Sequence, residues 1–456
     1  MLPPRDTIVA LSTPPGRGAL GIVRLSGPAA LEIAREIVAD ESFQPEPGHV
    51  TLRNLIKLET GEVLDQALVT YFQAPHSFTG ENLIEFSCHG SPVVLELLLD
   101  QLLKLDARLA NPGEFTLRAV GNGRVNLSQA EAIRDLIDAQ TRAAVRQASR
   151  QLLGEVSQRL QPVKDELIAV IVPLESSIEF VEDDLPPTAT QNLIAKLDQL
   201  RAEIERLAQT FSAGRLLREG LCVALVGRPN AGKSSLFNKL LSYDRAIVTD
   251  IPGTTRDSLT EAVNIDGIPV RFTDTAGLRT AADTIESIGI QRTKQAAADA
   301  DVTILVIDGA HSLENEDIDL IKQSDAGATV IALNKSDLES FAENERAIRL
   351  HAPHAVSISA KSGAGLDALK AAILKPFTAS SVVGDGLLIT NARHHDLLRR
   401  TLAALDSAAD ALVQGRSEEL VLVGLYDALR LLGEITGETT PDDVLGEIFA
   451  TFCIGK

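Results

Sequence analysis

The sequence contains few cysteines, no long apolar run and fewer basic than acidic residues. Its three cysteines, Cys88, Cys222 and Cys453, are widely spaced and form no C-x-x-C pair. This spacing argues against a disulfide framework or a structural zinc site and favours a reducing cytoplasmic location. The longest apolar run, residues 167–174, contains a proline and is far too short to span a bilayer. Because the first ten residues carry no leader of the basic-then-apolar kind, we expect neither export nor membrane insertion.

The charge of the chain also limits its partners. Its 43 Lys and Arg residues against 63 Asp and Glu residues give a formal net charge of −20. This charge disfavours loose, non-specific binding to nucleic acid, so any RNA contact needs a local basic patch or a partner protein. The chain has no flavin or nicotinamide fingerprint and no internal repeat. Its 456 residues are enough for two to four domains.

The most informative stretch is Gly227–Ser234, GRPNAGKS, which fits the phosphate-binding pattern G-x-x-x-x-G-K-S. An apolar run of strand length, Leu221–Val226, precedes it, and an amphipathic helical segment, Ser235–Leu241, follows it. Glycines here let successive backbone N–H groups point at phosphate oxygens, and the helix N-terminus adds partial positive charge. We expect Lys233 to reach the β- and γ-phosphates and the Ser234 hydroxyl to bind Mg²⁺.

Three later motifs follow predicted strands in the order that a GTPase requires. Asp274–Gly277 (DTAG) places a carboxylate near Mg²⁺ and a backbone N–H near the γ-phosphate. Asn334–Asp337 (NKSD) supplies the carboxylate of Asp337, which accepts two hydrogen bonds that guanine can donate and adenine cannot. Ser359–Lys361 (SAK) supplies main-chain donors to guanine O6. This set of motifs predicts a GTP-binding domain.

The loop between the first two motifs contains Gly253–Asp257 (GTTRD). Thr255 is its natural second hydroxyl ligand for Mg²⁺, and the loop is expected to close when the γ-phosphate is present. DTAG is followed by Leu278 instead of a glutamine that orients water, so hydrolysis needs another group. The nearby acids are Asp283 and Glu286, and on the residues alone each is most simply a plain solvated residue.

Asn230 is a further candidate within the phosphate loop. No Lys or Arg of this region is spare to act as an arginine finger in cis. A carboxamide oxygen facing the phosphates, with backbone carbonyls of residues 249–254, can hold K⁺ and place positive charge where such a finger acts. An ordinary loop asparagine is the alternative interpretation.

The pattern of hydrophobic residues divides the chain into an α/β part and an all-α part. Residues 1–120 predict a compact α/β domain, in which the glycines and prolines at 13–18 and 111–113 are most simply turns. Helical periodicity then extends from 129 to 211 and resumes at 387, on both sides of the nucleotide motifs. We therefore expect one discontinuous helical domain, 121–217 and 379–456, with a doubly wound P-loop GTPase domain inserted at 218–378.

Eight motifs together resemble the MnmE (TrmE) family of tRNA-modification GTPases, and they cover the whole chain in order. They are TPPGRG (13–18), SFTGE (77–81), NPGEF (111–115), GRPNAGKS (227–234), IPGTTRD (251–257), DTAGLR (274–279), EITG (434–437) and FCIGK (452–456). The FCIGK ending is especially specific, and no motif position departs from the family pattern.

The resemblance implies an N-terminal folate-binding domain that forms a homodimer, a split helical domain and an inserted G domain. It implies that the chain acts on tRNA with the FAD-dependent partner MnmG (GidA), in a heterotetramer or larger complex, in the cytoplasm and without a membrane. The implied reaction adds aminomethyl or carboxymethylaminomethyl groups to C5 of the wobble uridine, U34. The implied cofactors are Mg²⁺, K⁺ and 5,10-methylenetetrahydrofolate or a related folate, with GTP as the substrate.

The resemblance also assigns site residues. It places folate contacts at Arg24, Glu81, Arg124 and Lys456, and K⁺ at Asn230, Thr249, Ile251 and Thr254. It places Mg²⁺ at Ser234 and Thr255, makes Glu286 the hydrolytic residue acting through a bridging water, and matches Cys453 to a thiol important for modification. With the motifs above, the expected GTP site comprises Asn230, Ala231, Gly232, Lys233, Ser234, Ser235, Thr249, Asp250, Ile251, Pro252, Gly253, Thr254, Thr255, Asp274, Thr275, Ala276, Gly277, Asn334, Lys335, Asp337, Ser359, Ala360 and Lys361.

Two other functions fit parts of the sequence. A ribosome-assembly GTPase shares the phosphate loop and the GTTRD loop, but it more often carries a basic RNA-binding module, and no stretch here has that composition. A GTP-gated scaffold, in which all modification chemistry belongs to a partner, overlaps with the main interpretation.

Overall fold

A computed structural model describes residues 6–179, 187–243, 262–274, 300–324, 328–378, 386–438 and 448–455. Its first elements are β1 (Ile8–Leu11), β2 (Leu20–Ser26), α1 (Ala30–Ile37), β3 (Val50–Ile56), β4 (Val63–Phe72), β5 (Leu83–His89), α2 (Pro92–Lys104), β6 (Arg108–Leu109), α3 (Glu114–Gly121), α4 (Leu127–Asp138), α5 (Arg142–Leu152), α6 (Glu155–Glu179), α7 (Pro187–Gln209) and α8 (Phe211–Glu219). They are followed by β7 (Leu221–Val226), α9 (Lys233–Tyr243), β8 (Ala262–Ile265), β9 (Ile268–Asp274), β10 (Val302–Asp308), α10 (Asn315–Gln323), β11 (Thr329–Asn334), α11 (Glu339–His351), β12 (Val356–Ser357), α12 (Leu366–Thr378), α13 (Ala392–Val413) and α14 (Glu418–Thr436).

The N-terminal part is a six-stranded sheet in the order β3-β4-β5-β2-β1-β6. Its strands are antiparallel except for the pair β1 and β6. The apolar sides of α1 and α2 pack on one face of the sheet, where they bury residues such as Val69 and Phe86. The α/β organisation predicted for this part is confirmed. The two-residue β6 was not predicted, because a strand of this length shows no alternation in the sequence.

The helical part brings together two segments that are distant in sequence. One apolar core contains residues of α6 and α7, which precede the nucleotide motifs, and of α13 and α14, which follow them. Leu167 and Leu200 from the first segment and Leu398 and Leu425 from the second are among its buried members. The prediction of a discontinuous helical domain is therefore confirmed. The sequence predicted that the first helical segment of this domain ends at residue 211, but α8 extends the helical structure to Glu219.

The segment between the two helical halves forms a second six-stranded sheet, in the order β12-β11-β10-β7-β9-β8. All neighbouring pairs are parallel except the hairpin of β8 and β9. Helices lie on both faces: α9 and α12 belong to one apolar core, and α10 and α11 to the other. This is the doubly wound arrangement that the sequence predicted. The last strand, Val356–Ser357, contains only two residues.

Helix α4 connects the two helical segments through a buried ion cluster. Arg393 donates to both carboxylate oxygens of Glu131, at 2.9 and 2.8 Å, and His394 Nε2 lies 2.7 Å from Glu131 Oε2. Burial acts to raise the pKa of Glu131, whose side chain is 7% exposed, but the interactions with His394 and Arg393 outweigh burial and lower this pKa to about 2. The carboxylate of Glu131 is therefore ionised, and it ties α4 to the start of α13.

The same helix also contacts the entry into the second sheet and the C-terminal tail, which we define as residues 448–455. Arg218, at the end of α8, donates to Asp135 Oδ1 at 2.8 Å. On the other side, Phe449 and Phe452 of the tail form an apolar cluster with Leu127 and Ala130. Among the residues that the structure describes, no helix is long and apolar enough to cross a membrane.

Replacing Glu131 with Gln should lower the free energy of unfolding by about 3 kcal/mol near neutral pH, because it leaves the half-buried Arg393 and the buried His394 without their carboxylate. The pKa of Glu131 is lower in the folded than in the unfolded chain, so its stabilising contribution is complete above the unfolded value of about 4.3. That contribution is lost as the pH falls toward about 2. Urea unfolding followed by far-UV circular dichroism at several pH values measures both effects.

The control is Glu205→Gln, because the pair of Glu205 with Arg399 is exposed and surface pairs contribute about 0–1 kcal/mol. Equal destabilisation by the two substitutions would contradict the role assigned to Glu131.

Candidate functional site

The phosphate loop lies between the end of β7 and the start of α9. Gly227 and Gly232 have φ values of 144° and 98°, which L side chains rarely adopt. A Cβ on Gly227 would lie 2.2 Å from the Val306 carbonyl oxygen, and one on Gly232 would lie 2.1 Å from Asn334 Nδ2. Only glycine fits at either position, so the backbone of the loop can approach the strand and the next motif closely.

The polar residues of the loop are arranged around the N-terminus of α9. Lys233 Nζ donates to the carbonyl oxygens of Gly227 and Arg228, at 2.7 and 2.9 Å, and so lies across the loop. Ser234 and Ser235 lie in the first turn of α9, and both are exposed. Asn230 is also exposed, with a φ of 61° that asparagine tolerates better than most residues. Hydroxyl and carboxamide groups are therefore within reach of a ligand at this end of the helix.

Arg228, the second residue of the loop, is held by acids at the start of α10. Its guanidinium lies 2.7 Å from Glu314, 3.2 Å from Glu316 and 3.2 Å from Asp317, measured between the nearest nitrogen and oxygen atoms. This cation of the phosphate loop is therefore already paired.

Asn334 connects the phosphate loop to the predicted base-binding loops. Its Nδ2 donates to the Ala231 carbonyl oxygen at 2.9 Å, and its Oδ1 accepts from the Ala360 N–H at 2.9 Å. The side chain is 2% exposed, so both bonds are buried and costly to lose. The structure thus brings together three motifs that are well separated in the sequence.

Asp337 is placed to accept donors from a base. Ser359 Oγ donates to Asp337 Oδ1 at 2.6 Å, and this hydrogen bond, with the nearby charge of Lys361, lowers the pKa of the exposed Asp337 carboxyl. Lys335 has a φ of 69°, and its Nζ lies 2.6 Å from Asp308 Oδ2 at the end of β10. The carboxylate of Asp337 is ionised at neutral pH and oriented from one side, with its other lone pairs available.

Several predicted site residues lie outside the described residues: Thr249, Asp250, Ile251, Pro252, Gly253, Thr254, Thr255, Thr275, Ala276, Gly277, Glu286 and Lys456. Asp274 is the last residue of β9, where its backbone is described. Within the described ranges, no group of three or more His, Cys, Asp or Glu side chains is arranged to hold a metal ion.

The candidate folate residues lie on the N-terminal sheet and the adjoining α3 loop. Arg24, on β2, pairs with Glu85 at 2.7 Å, and its guanidinium lies 5.6 and 5.8 Å from the ring centres of Phe78 and Phe115. Arg124 donates to the Ser77 carbonyl oxygen at 3.0 Å, in the SFTGE segment that also contains Glu81. The segments that carry three of the predicted folate residues are therefore linked in space.

Sequence reasoning missed a buried cation that contacts Glu81. Arg118 of α3 is fully buried, and its Nη1 lies 3.2 Å from both carboxylate oxygens of Glu81. It also pairs with Glu114, one helical turn earlier, at 2.9 Å. The spacing of Glu114 and Arg118 was a usable signal, since it is that of an ion pair on a helix, but residues 111–113 were interpreted only as a turn.

The C-terminal tail lies against the N-terminal domain. Ser12 Oγ donates to the Gly455 carbonyl oxygen at 3.1 Å, and the Gly113 N–H donates to the Cys453 carbonyl oxygen at 3.3 Å. Gly455 has a φ of 96°, and a Cβ there would lie 2.4 Å from the Leu11 carbonyl oxygen. The tail thus joins the end of β1, next to residues 13–18, to the NPGEF loop.

The three thiols differ in their surroundings. Burial raises the pKa of Cys88 to about 12, so this thiol stays protonated and unreactive. Cys222 is half-buried on β7, whereas the side chain of Cys453 is exposed on the tail. Of the three cysteines, only Cys453 is exposed, and its carbonyl oxygen accepts from the Gly113 N–H of the NPGEF loop.

Comparisons with known proteins match the whole chain. Residues 7–124 match the family model described as the GTP-binding protein TrmE N-terminus, and residues 127–453 match that of the MnmE helical domain. The tRNA modification GTPase MnmE of Koribacter versatilis is 45% identical over 99% of both chains. The protein of the same name from Aquifex aeolicus is 40% identical over 99% of this chain and all of its own.

A solved structure of Aquifex aeolicus Era bound to GDP and AlF4⁻ is 26% identical over 40% of this chain and 66% of its own. Its TM-score is 0.27, which is too low to establish a common fold.

Replacing Gly232 with Ala should weaken GDP binding at least about tenfold, because the new methyl group displaces Asn334 from its two buried hydrogen bonds. Titration with a fluorescent GDP analogue measures the affinity. Gly415→Ala is the matched control, since Gly415 also has a positive φ, 63°, but a Cβ added there would meet no atom within 4 Å. Comparable GDP affinities for the two variants would contradict the steric role of Gly232.

Proposed function

The chain belongs to the MnmE (TrmE) family of tRNA modification GTPases, and from this we propose a K⁺-stimulated GTPase that modifies the wobble uridine of certain tRNAs. With an FAD-dependent partner of the MnmG (GidA) type, it adds aminomethyl or carboxymethylaminomethyl groups to C5 of U34. The one-carbon donor is 5,10-methylenetetrahydrofolate or a related folate. The observation that carries the proposal is that one chain combines the motifs of a GTP site, linked by Asn334, with an N-terminal domain to which its own C-terminal tail is docked.

Each GTP-site residue has a distinct task in this proposal. Lys233 neutralises the β- and γ-phosphates, and Asp337 accepts hydrogen bonds from guanine. Ser234, at the start of α9, holds Mg²⁺ together with Thr255. Glu286 orients the attacking water through a second, bridging water. Since Leu278 follows the DTAG motif, the hydrolytic group must come from elsewhere, which supports this assignment.

The K⁺ site is proposed at Asn230 with Thr249, Ile251 and Thr254. The exposed carboxamide of Asn230 and its left-handed backbone support the assignment, because an amide oxygen is a suitable ligand for a hard cation. A bound K⁺ supplies positive charge where other GTPases use an arginine. Residues 249–257 then close over the γ-phosphate, and two G domains approach each other across a homodimer. Hydrolysis should therefore be fast without a further effector.

The homodimer is proposed to form through the N-terminal domain, 1–120. Val50, Leu52 and Leu68 lie on the outer two strands of its sheet and are 59%, 53% and 42% exposed. Leu52 is directly opposite Leu68 in the antiparallel pair, so these side chains share one face. An apolar face of this kind supports contact with a second copy.

The other proposed domains are the helical domain, 121–217 with 379–456, and the G domain, 218–378. The proposed complex with MnmG is a heterotetramer or larger.

The folate is proposed to bind Arg24, Glu81, Arg124 and Lys456, with Cys453 as the thiol that takes part in modification. The docking of the tail onto β1 supports this proposal, because it brings the exposed Cys453 and the residue before Lys456 to the domain that carries the other three. The chain acts in the cytoplasm, on tRNA held with its partner.

K⁺ should raise GTP turnover about tenfold or more over Na⁺, because it places positive charge beside the transferred phosphoryl group. Asn230→Ala should remove this difference while GDP binding is retained. Steady-state phosphate release in matched chloride salts measures the turnover. Equal rates of the wild-type chain in K⁺ and Na⁺ would contradict the cation assignment.

The function is tested by mass spectrometry of tRNA nucleosides from a strain that lacks this protein. Wild-type chain should restore the C5-substituted wobble uridines, and Glu286→Ala should bind GTP without restoring them. Asp283→Ala is the matched control, since Asp283 is the other acid near the DTAG motif, and it should behave as wild type. If nucleoside levels do not respond to any of the three chains, the tRNA proposal fails, and ribosome profiles then test an assembly GTPase.

A further inference from the structure

We propose that Arg118 is a positioning residue for the folate: it does not touch the ligand but fixes the carboxylate of Glu81 in the orientation that receives the donor groups of the pteridine ring. This inference rests on the folate site of the proposed function and goes beyond it. The observation that supports it is that the guanidinium of Arg118 is fully buried and that its Nη1 lies 3.2 Å from both carboxylate oxygens of Glu81.

The surroundings of Arg118 fix its own position firmly. Its Nη1 donates to the Asp6 carbonyl oxygen at 2.7 Å, and its Nη2 donates to Asp6 Oδ1 at 2.5 Å and to Glu114 Oε1 at 2.9 Å. A guanidinium is planar and rigid, so contacts on two of its nitrogens set the direction of the whole group. The position from which Arg118 approaches Glu81 is thus determined by residues other than Glu81.

The charges around Arg118 are not balanced. Two guanidinium groups, Arg108 and Arg118, lie among three carboxylates, those of Asp6, Glu81 and Glu114. Arg108 pairs with Asp6 at 2.8 Å and with Glu114 at 2.6 Å. In the described contacts Glu81 pairs only with Arg118, at the longest distance of the set. Glu81 is therefore the carboxylate whose charge is least neutralised within the cluster.

Glu81 also has the freedom to accept further hydrogen bonds. Its side chain is 20% exposed, against 5% for Glu114. A carboxylate has about four lone-pair directions, of which Arg118 and Ser26 use only some. The pteridine ring of a folate presents an amino group beside a ring N–H, and a fixed carboxylate accepts such a pair with two parallel hydrogen bonds.

A second contact holds the same carboxylate from another side. Ser26 Oγ, buried on β2, lies 2.8 Å from Glu81 Oε2 and 2.7 Å from Thr79 Oγ1. Thr79 Oγ1 in turn accepts from the Glu81 N–H at 3.3 Å. The backbone and the carboxylate of Glu81 are thus both anchored before a ligand arrives, so less conformational freedom is lost when it binds.

The experiment is calorimetric titration of the full-length chain with tetrahydrofolate under anaerobic conditions. Arg118→Gln and Glu81→Gln should each weaken binding about tenfold or more, because each removes a charged partner from the contact. Arg108→Gln is the matched control: it removes the same charge from the same cluster and leaves the Glu81 contact in place. Its affinity for tetrahydrofolate should stay within about twofold of wild type, as expected for a group outside the contact.

A double-mutant cycle separates positioning from a general structural role. If Arg118 acts through Glu81, the variant with both Arg118→Gln and Glu81→Gln binds no more weakly than Glu81→Gln alone. Additive losses, or equal losses for Arg118→Gln and Arg108→Gln, would overturn the inference. If the wild-type chain does not bind tetrahydrofolate, the folate proposal fails as well. Binding by wild type that is unchanged in Arg118→Gln overturns this inference alone.

Two further variants cover the case in which Arg118→Gln does not fold. Arg118→Met with Glu114→Gln removes one charge of each sign from the buried cluster and leaves Asp6 paired with Arg108. It should weaken tetrahydrofolate binding as Arg118→Gln would. Ser26→Ala removes the second anchor without a change of charge, and a loss of about threefold or more is expected, the size of one neutral hydrogen bond. Wild-type affinity in both variants would contradict the proposal.

Discussion

The arrangement of this protein depends on the meeting of two helical segments that are separated by an entire inserted domain. Glu131 contacts Arg393 and His394 across 262 and 263 residues of sequence, and the apolar core of the bundle is built from the same two segments. A buried carboxylate is stable only when it is paired and hydrogen-bonded. The pairing of Glu131 with Arg393 and His394 therefore fixes where the start of α13 packs against α4.

Helix α4 extends this meeting to further parts of the chain, because three other segments contact it. Arg218 reaches it from the segment that enters the GTP-binding sheet, α13 reaches it through Arg393, and Phe452 reaches it from the tail. The tail in turn contacts the N-terminal domain through Ser12. The helix that leads into the GTP-binding sheet and the tail that docks on the N-terminal domain therefore contact the same short helix, although they are far apart in the sequence.

Sequence alone identified the elements whose chemistry is local. The phosphate loop was predictable because Gly227 and Gly232 must occupy conformations that other residues avoid, and the strand and helix beside it have their own periodicity. The bridge that Asn334 makes between Ala231 and Ala360 was not predictable, because it joins residues 103 and 26 positions away. Arg118 was missed for the same reason: its partners Asp6 and Glu81 belong to distant strands and loops.

The docked tail has a consequence for the order in which the protein is made. The N-terminal sheet can form early in synthesis, yet its contact through Ser12 needs Gly455, which the ribosome adds 443 residues later. At about 5–20 residues per second, this leaves the N-terminal domain incomplete for tens of seconds. A chain released between residues 378 and 448 would contain all elements of the GTP-binding sheet and its helices but no tail. Premature termination in this range therefore yields a molecule with the GTP-binding elements and without the tail contact to the N-terminal domain.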